Sequence, residues 1–73
     1  MNKARRNELE KIREELEELK GRIESVKDEE QEAFDNMPES FQESERGESM
    51  EEMIDQMDDA ICSIEDAIDT LEM

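Results

Sequence analysis

Met53-Ile-Asp-Gln-Met-Asp-Asp59, Ala60-Ile-Cys-Ser-Ile-Glu-Asp66 and Ala67-Ile-Asp-Thr-Leu-Glu-Met73 are three consecutive sevens of nearly one design. Written as heptads, they put Ile54, Ile61 and Ile68 at position a and Met50, Met57, Ile64 and Leu71 at position d. Met53, Ala60 and Ala67 take position g, and Glu51, Asp58, Glu65 and Glu72 take position e. Apolar residues recurring alternately three and four apart line one stripe of an α-helix. The stripe is wide, because a two-stranded coil needs only a and d and this one adds g. The spacing predicts a helix over about 49–72.

Upstream, Leu9, Ile12, Leu16, Leu19, Ile23, Val26 and Ala33 keep the same alternation, with Glu30 in the skipped slot. They predict a helix over about 2–35. With Leu9 at a, Arg6, Arg13, Lys20 and Lys27 all fall at e, while b, c and g are mostly Glu. Between the helices, about 36–48 reads as the turn. Pro38 steers Met37 away from helix, and Gly47 weakens any helix around it. Ser40 with Glu43, and Ser49 with Glu52, both match the Ser-x-x-Glu capping box, so the second helix starts either near Pro38 or after Ser49. Phe34, Met37 and Phe41 are expected to close the end of the hairpin.

Folding the helices antiparallel sets the two e rows against each other. Arg6, Arg13, Lys20 and Lys27 then meet Glu72, Glu65, Asp58 and Glu51 in that order, every pair complementary. Each exposed pair contributes only about 0.2 to 1 kcal/mol, but together they favour antiparallel over parallel pairing. The expected fold is therefore all-α, a single domain over residues 1–73 built as an antiparallel, coiled-coil-like helical hairpin. Two helices alone bury little against an ordering cost of about 1.5 kcal/mol per residue. The small g-row residues also leave room for another helix. A homodimer forming a four-helix bundle is expected, with Met53, Met57, Ala60, Ile64 and Ala67 at the oligomer interface.

Charge and composition restrict the job. The 73 residues carry 25 acidic and 9 basic side chains, a net charge of -16. Such a chain repels phosphates, so direct nucleic-acid binding is excluded and a basic protein surface is the natural complement. The asymmetry is steep: residues 1–27 hold 8 basic and 7 acidic side chains, residues 28–73 hold 1 and 18. There is no His, Tyr or Trp, one Cys and two Gly. That stock suits neither zinc sites, catalytic dyads nor glycine phosphate loops, so no catalytic residue, metal or cofactor is predicted. No apolar run approaches the roughly 20 residues that span a bilayer, and charge follows Met1–Arg6 where a signal peptide would be apolar. A soluble protein of the cytoplasm is expected, and the unpaired Cys62 fits a reducing compartment.

On the second helix, positions e and b alternate as Glu51, Asp55, Asp58, Cys62, Glu65, Asp69 and Glu72, widened at f by Glu52, Asp59 and Asp66. At about 1.5 Å of rise per residue the steps are about 5 to 6 Å, close to the phosphate spacing along a nucleic-acid strand. The plain alternative is a solvated face whose e members pair with the first helix. Against it, like charges three and four apart repel and add nothing to helix stability. Partner contact is therefore assigned to Glu51, Glu52, Asp55, Asp58, Asp59, Glu65, Asp66 and Asp69. Phe41 joins them because large apolar groups in a polar turn either cap the hairpin or anchor a partner. No Asp-x-Asp-x-Asp-Gly loop is present to wrap a cation. Met50, Met53 and Met57 read as core rather than as an adaptable binding stripe.

The stretch Asp28-Glu-Glu-Gln-Glu-Ala-Phe-Asp-Asn-Met-Pro-Glu-Ser-Phe-Gln-Glu-Ser-Glu-Arg-Gly-Glu48, with Met1-Asn-Lys-Ala-Arg-Arg6 before it and the Ile-Glu-Asp-Ala-Ile run after it, resembles small acidic helical proteins of phages and mobile elements of Gram-positive bacteria. The resemblance covers nearly the whole chain and implies a context, with no site residues to carry over. Phage genomes often encode short acidic proteins that block host defence nucleases by imitating DNA, and the extension to this chain is by analogy. The first functional expectation is a non-enzymatic inhibitor that offers its carboxylate face to a basic host nucleic-acid enzyme in the bacterial cytoplasm. The second is a homo-oligomeric coiled-coil structural or assembly module with a solubilising acidic surface. A third is an acidic chain that folds only on its partner.

Overall fold

Asn2 opens the first helix. Its backbone is extended (φ -79°, ψ 167°) and its side-chain oxygen accepts the Arg5 N–H at 2.8 Å, satisfying one of the free donors of the first turn. The run that follows is rich in Glu, Lys, Arg and Leu and holds no Pro, which suits a helix throughout. The computed structural model describes residues 1–72, and α1 spans Lys3–Asp35, as the spacing predicts. It stops where the Asn36 N–H returns to the Glu32 carbonyl, the Met37 N–H to that of Phe34, and Pro38 has no N–H to continue.

Pro38 then starts a single turn of helix, α2 (Glu39–Gln42), with the Phe41 and Gln42 N–H groups on its carbonyl at 2.8 and 3.1 Å. Ser44 caps the second long helix, α3 (Glu45–Leu71). Its hydroxyl accepts the Gly47 N–H at 3.4 Å and donates to the Phe41 carbonyl. Glu45 and Glu48 place negative charge in the first turn, where the helix dipole favours it. The second long helix thus begins at neither expected point. One helical turn follows Pro38, the long helix starts ahead of Ser49, and the expected turn at 36–48 contracts accordingly. The cap in use, Ser44, has Gly47 three residues on in place of Glu, so it carries no capping-box signature.

Helix is the only regular secondary structure among the described residues, and α1 and α3 run antiparallel in a rod whose Cα extents are 58 × 15 × 12 Å. Ile54, Ile61 and Ile68 form the core, each 7 to 8% exposed. The predicted a row of α3 is therefore the buried row. On α1 the stripe that meets it is a with e: Leu9, Leu16 and Ile23 are half-buried together with Arg13, Lys20 and Lys27. The long stems of those bases pack along the apolar seam; the heads of Lys20 and Lys27 reach carboxylates, whereas the Nε of Arg13 is buried with no hydrogen-bond partner. The d row of α1 is left outside, with Ile12, Leu19 and Val26 exposed by 36, 45 and 54%.

The register differs from the expected one by a heptad. Lys20 reaches Glu65 at 3.6 Å, not Asp58, and Lys27 reaches Asp58 at 2.5 Å, not Glu51. The cause lies at the turn. Besides α1, α3 packs on α2, and at the buried a position of its first turn stands Gly47, against Gln42 of α2. A Cβ there would overlap the backbone of Gln42, so only glycine lets α2 cross α3 this closely. Met73, the last residue of the third heptad, lies outside the described residues.

Candidate protein-interaction surface

Around a helix the heptad positions succeed one another as a, e, b, f, c, g and d. On α3 this order divides the charge in two. Positions e, b and f hold carboxylates throughout, broken only by Cys62, whose thiol is exposed. Positions c, g, d and a between Ser49 and Leu71 hold Ser49, Gln56, Ser63 and Thr70, then Met53, Ala60 and Ala67, then the d and a rows, with no charged residue among them.

Among the residues assigned to partner contact, Glu51, Glu52, Asp55, Asp59, Glu65, Asp66 and Asp69 are exposed, and Asp58 is half-buried. Two of them are engaged by α1: Asp58 with Lys27, and Glu65 with Lys20, which also lies 3.8 Å from Glu17. The hydrogen bond from Lys27 to Asp58, opposed by desolvation and aided by the neighbouring charges of Asp58, Asp28 and Glu24, holds the Lys27 ammonium above its ordinary range. Glu51, Glu52, Asp55, Asp59, Asp66 and Asp69 make no ion pair among the described residues. Along α3 they stand 1, 3, 4, 7 and 3 residues apart, so at about 1.5 Å of rise per residue the unpaired carboxylates form two groups, Glu51 to Asp59 and Asp66 to Asp69, separated by about 10.5 Å.

The turn end strengthens this field in a way the heptads did not signal. Asp28, Glu29, Glu30, Glu32 and Asp35 close α1, and Glu39, Glu43, Glu45 and Glu48 follow around the turn, with Arg46 the one base between Asp28 and Glu52. At the tip, Phe34 and Met37 are half-buried but Phe41 is 57% exposed. The expected three-residue apolar cap is therefore only partly formed. Gln42 does the remaining work, its side-chain amide donating to the Phe34 carbonyl at 2.9 Å and tying α2 to the end of α1. Phe41 stands free in an acidic surround.

The uncharged face of α3 meets the exposed d row of α1 in an open groove of about 720 Å³. Leu19, Ile23 and Val26 form one wall, Met57, Ala60 and Ile64 the other, and Arg22, Ser25 and Gln56 the rim. Of the residues assigned to an oligomer interface, Met57, Ala60 and Ile64 are thus brought together. Met53 is exposed and Ala67 half-buried on the same helix. The contribution of α1 to this groove is not legible in the sequence, because Ile12, Leu19 and Val26 have the spacing of an intramolecular seam.

Among the described residues, no group of three or more His, Cys, Asp or Glu side chains converges to hold a metal ion, and no helix is long and apolar enough to cross a membrane. No protein-family model matches the chain, and neither does any curated protein or solved structure.

Proposed function

We propose that the chain is a non-enzymatic acidic interaction protein whose α3 carboxylate face, extended by the turn, occupies the nucleic-acid groove of a basic host protein. The observation that carries this reading is the division of charge on α3. Among the described residues the fold spends only Asp58 and Glu65 on α1 and leaves Glu51, Glu52, Asp55, Asp59, Asp66 and Asp69 outside, two acidic groups about 10.5 Å apart along the helix that a phosphate-binding groove would attract. Long-range attraction between this face and a basic cleft accelerates encounter, and exposed Phe41 supplies an apolar anchor at the end of the acidic surface. The resemblance to phage and mobile-element proteins belongs to the same reading, with a host defence enzyme in the bacterial cytoplasm as target.

The test is capture from a nuclease-treated bacterial lysate at low and high salt, with wild type beside a variant carrying Asp55→Lys, Asp59→Lys, Asp66→Lys and Asp69→Lys. A basic nucleic-acid-binding protein retained by wild type, released by salt and lost to the helical quadruple variant is expected. Equal capture by both chains would sink the proposal. A second reading, a homo-oligomeric structural or assembly module, is favoured by a separate observation, the uncharged groove, and makes the acidic face a solubilising coat.

A further inference from the structure

We infer that the uncharged groove is the docking face for a second copy of this chain, giving a two-fold four-helix arrangement in which α1 of each copy lies over α3 of the other. The inference rests on the groove and is independent of what the acidic face binds. Four features of the surface select this occupant.

The first is charge. A copy carrying a net charge of -16 can approach another only through a face that holds few carboxylates. Positions c, g and d of α3 form such a face, and among the described residues lining the groove Arg22, on its rim, is the one charged side chain. Nearly half the chain is charged, so the gap in that pattern needs a cause, and a solubilising coat has no reason to leave one.

Shape is the second. The exposed bulky row Ile12, Leu19 and Val26 on α1 and the row Met53, Ala60 and Ala67 on α3, small at two of its three places, share a seven-residue repeat. Knobs from one helix meet shallow holes on the other when α1 of one copy lies over α3 of its partner. Orientation follows from charge again. Setting α3 against α3 would bring the two most acidic helices together, whereas α1 over α3 interposes the helix that is net basic over residues 1–27. The c row, Ser49, Gln56, Ser63 and Thr70, then offers no carboxylate to the glutamates flanking the d row of α1.

Area is the last. The paired length of the hairpin is about 33 Å and two helices side by side are about 20 Å wide. A face of that size covers about 650 Å² on each copy, or about 1,300 Å² together, within the range of stable specific interfaces. In this arrangement the e, b and f arcs of both copies stay outside, so the dimer presents two acidic faces.

Light scattering coupled to size exclusion, read together with circular dichroism, tests the inference. Wild type should be helical with twice the 8.6 kDa chain mass. Ala60→Lys puts a charge where the single hairpin exposes the residue and the dimer buries it, so it should weaken association about a hundredfold or more. Asp59→Lys, one position away on the acidic arc, should leave the dimer unchanged. A helical wild-type monomer at tens of micromolar would overturn the inference and leave the groove to a different chain. So would a dimer indifferent to Ala60→Lys. If Ala60→Lys unfolds the chain, Leu19→Glu, on the opposite wall and exposed in the single hairpin, decides. A helical Leu19→Glu monomer supports the inference, and a Leu19→Glu chain that keeps twice the chain mass overturns it. None of these results depends on capture of a host protein, so failure here is distinguishable from failure of the acidic-face reading.

Discussion

Replacing glycine by alanine inside a helix normally stabilises it, and at Gly47 the structure reverses that sign. Alanine in place of glycine gains up to about 1 kcal/mol of helix propensity, and less in a first turn, where Gly47 sits. Against this, the new methyl group would overlap the carbonyl oxygen, carbonyl carbon and Cα of Gln42, all of them backbone atoms that move only if α2 moves. Overpacking of this kind costs about 1 to 3 kcal/mol. Displacing Gln42 also endangers its 2.9 Å hydrogen bond to the Phe34 carbonyl, worth about 1 kcal/mol. The net expectation is a loss of about 1 to 3 kcal/mol. Gly21 is the internal control, since a Cβ there meets nothing within 4 Å, and Gly21→Ala should gain about 0.5 to 1 kcal/mol. Urea denaturation followed at 222 nm measures both. If Gly47→Ala stabilises as Gly21→Ala does, α2 does not cross α3 at this point and the account of the turn is wrong.

Other substitutions probe the remaining parts of the fold. Ile61→Ala, at the middle of the buried row, should cost about 2 to 4 kcal/mol in the same assay, a large share of what a chain this size has. Ser44→Ala removes the cap of α3 and should cost about 1 kcal/mol, whereas Ser40→Ala and Ser49→Ala should change stability by less than about 0.5 kcal/mol. Charge swaps read the register: Lys20→Glu should be rescued by Glu65→Lys and not by Asp58→Lys. The Lys27 ammonium is held above its ordinary value near 10.5, so its contribution to stability is complete below that value and disappears as pH rises through the raised one. The difference in urea midpoint between wild type and Lys27→Met should therefore persist at neutral pH and shrink in strong base.

Those register swaps address what the amino-acid pattern could not decide. The isoleucine row at 54, 61 and 68 identified the core of α3, and the alternation from Leu9 to Ala33 identified the extent of α1. Both follow from periodicity, which is a local property. Register is not local. A row that is acidic at Glu51, Asp58, Glu65 and Glu72 alike accepts Lys20 and Lys27 in either of two alignments a heptad apart, so complementarity separates them only by the one exposed pair of Arg6, worth too little to decide. The choice falls to α2 and to Gly47, whose contact with Gln42 is tertiary and leaves no periodic trace. The same blindness hid half of the groove. Ile12, Leu19 and Val26 have seam spacing, yet the stems of Arg13, Lys20 and Lys27 pack along the seam instead and leave the d row outside. The carboxylate face was legible because exposure of a charged helical face requires only the heptad positions and a neighbour on the opposite side.

Under the proposed function, the α3 face competes for the surface that nucleic acid occupies on a basic host protein. The most direct measurement is fluorescence anisotropy of a labelled duplex bound to the captured host protein, titrated with this chain at fixed salt. Mutual exclusion is predicted: the duplex is released as the chain binds, displacement weakens as salt rises, and the quadruple Asp→Lys variant releases nothing. A stable ternary complex in which the duplex stays bound while the chain binds would contradict the account.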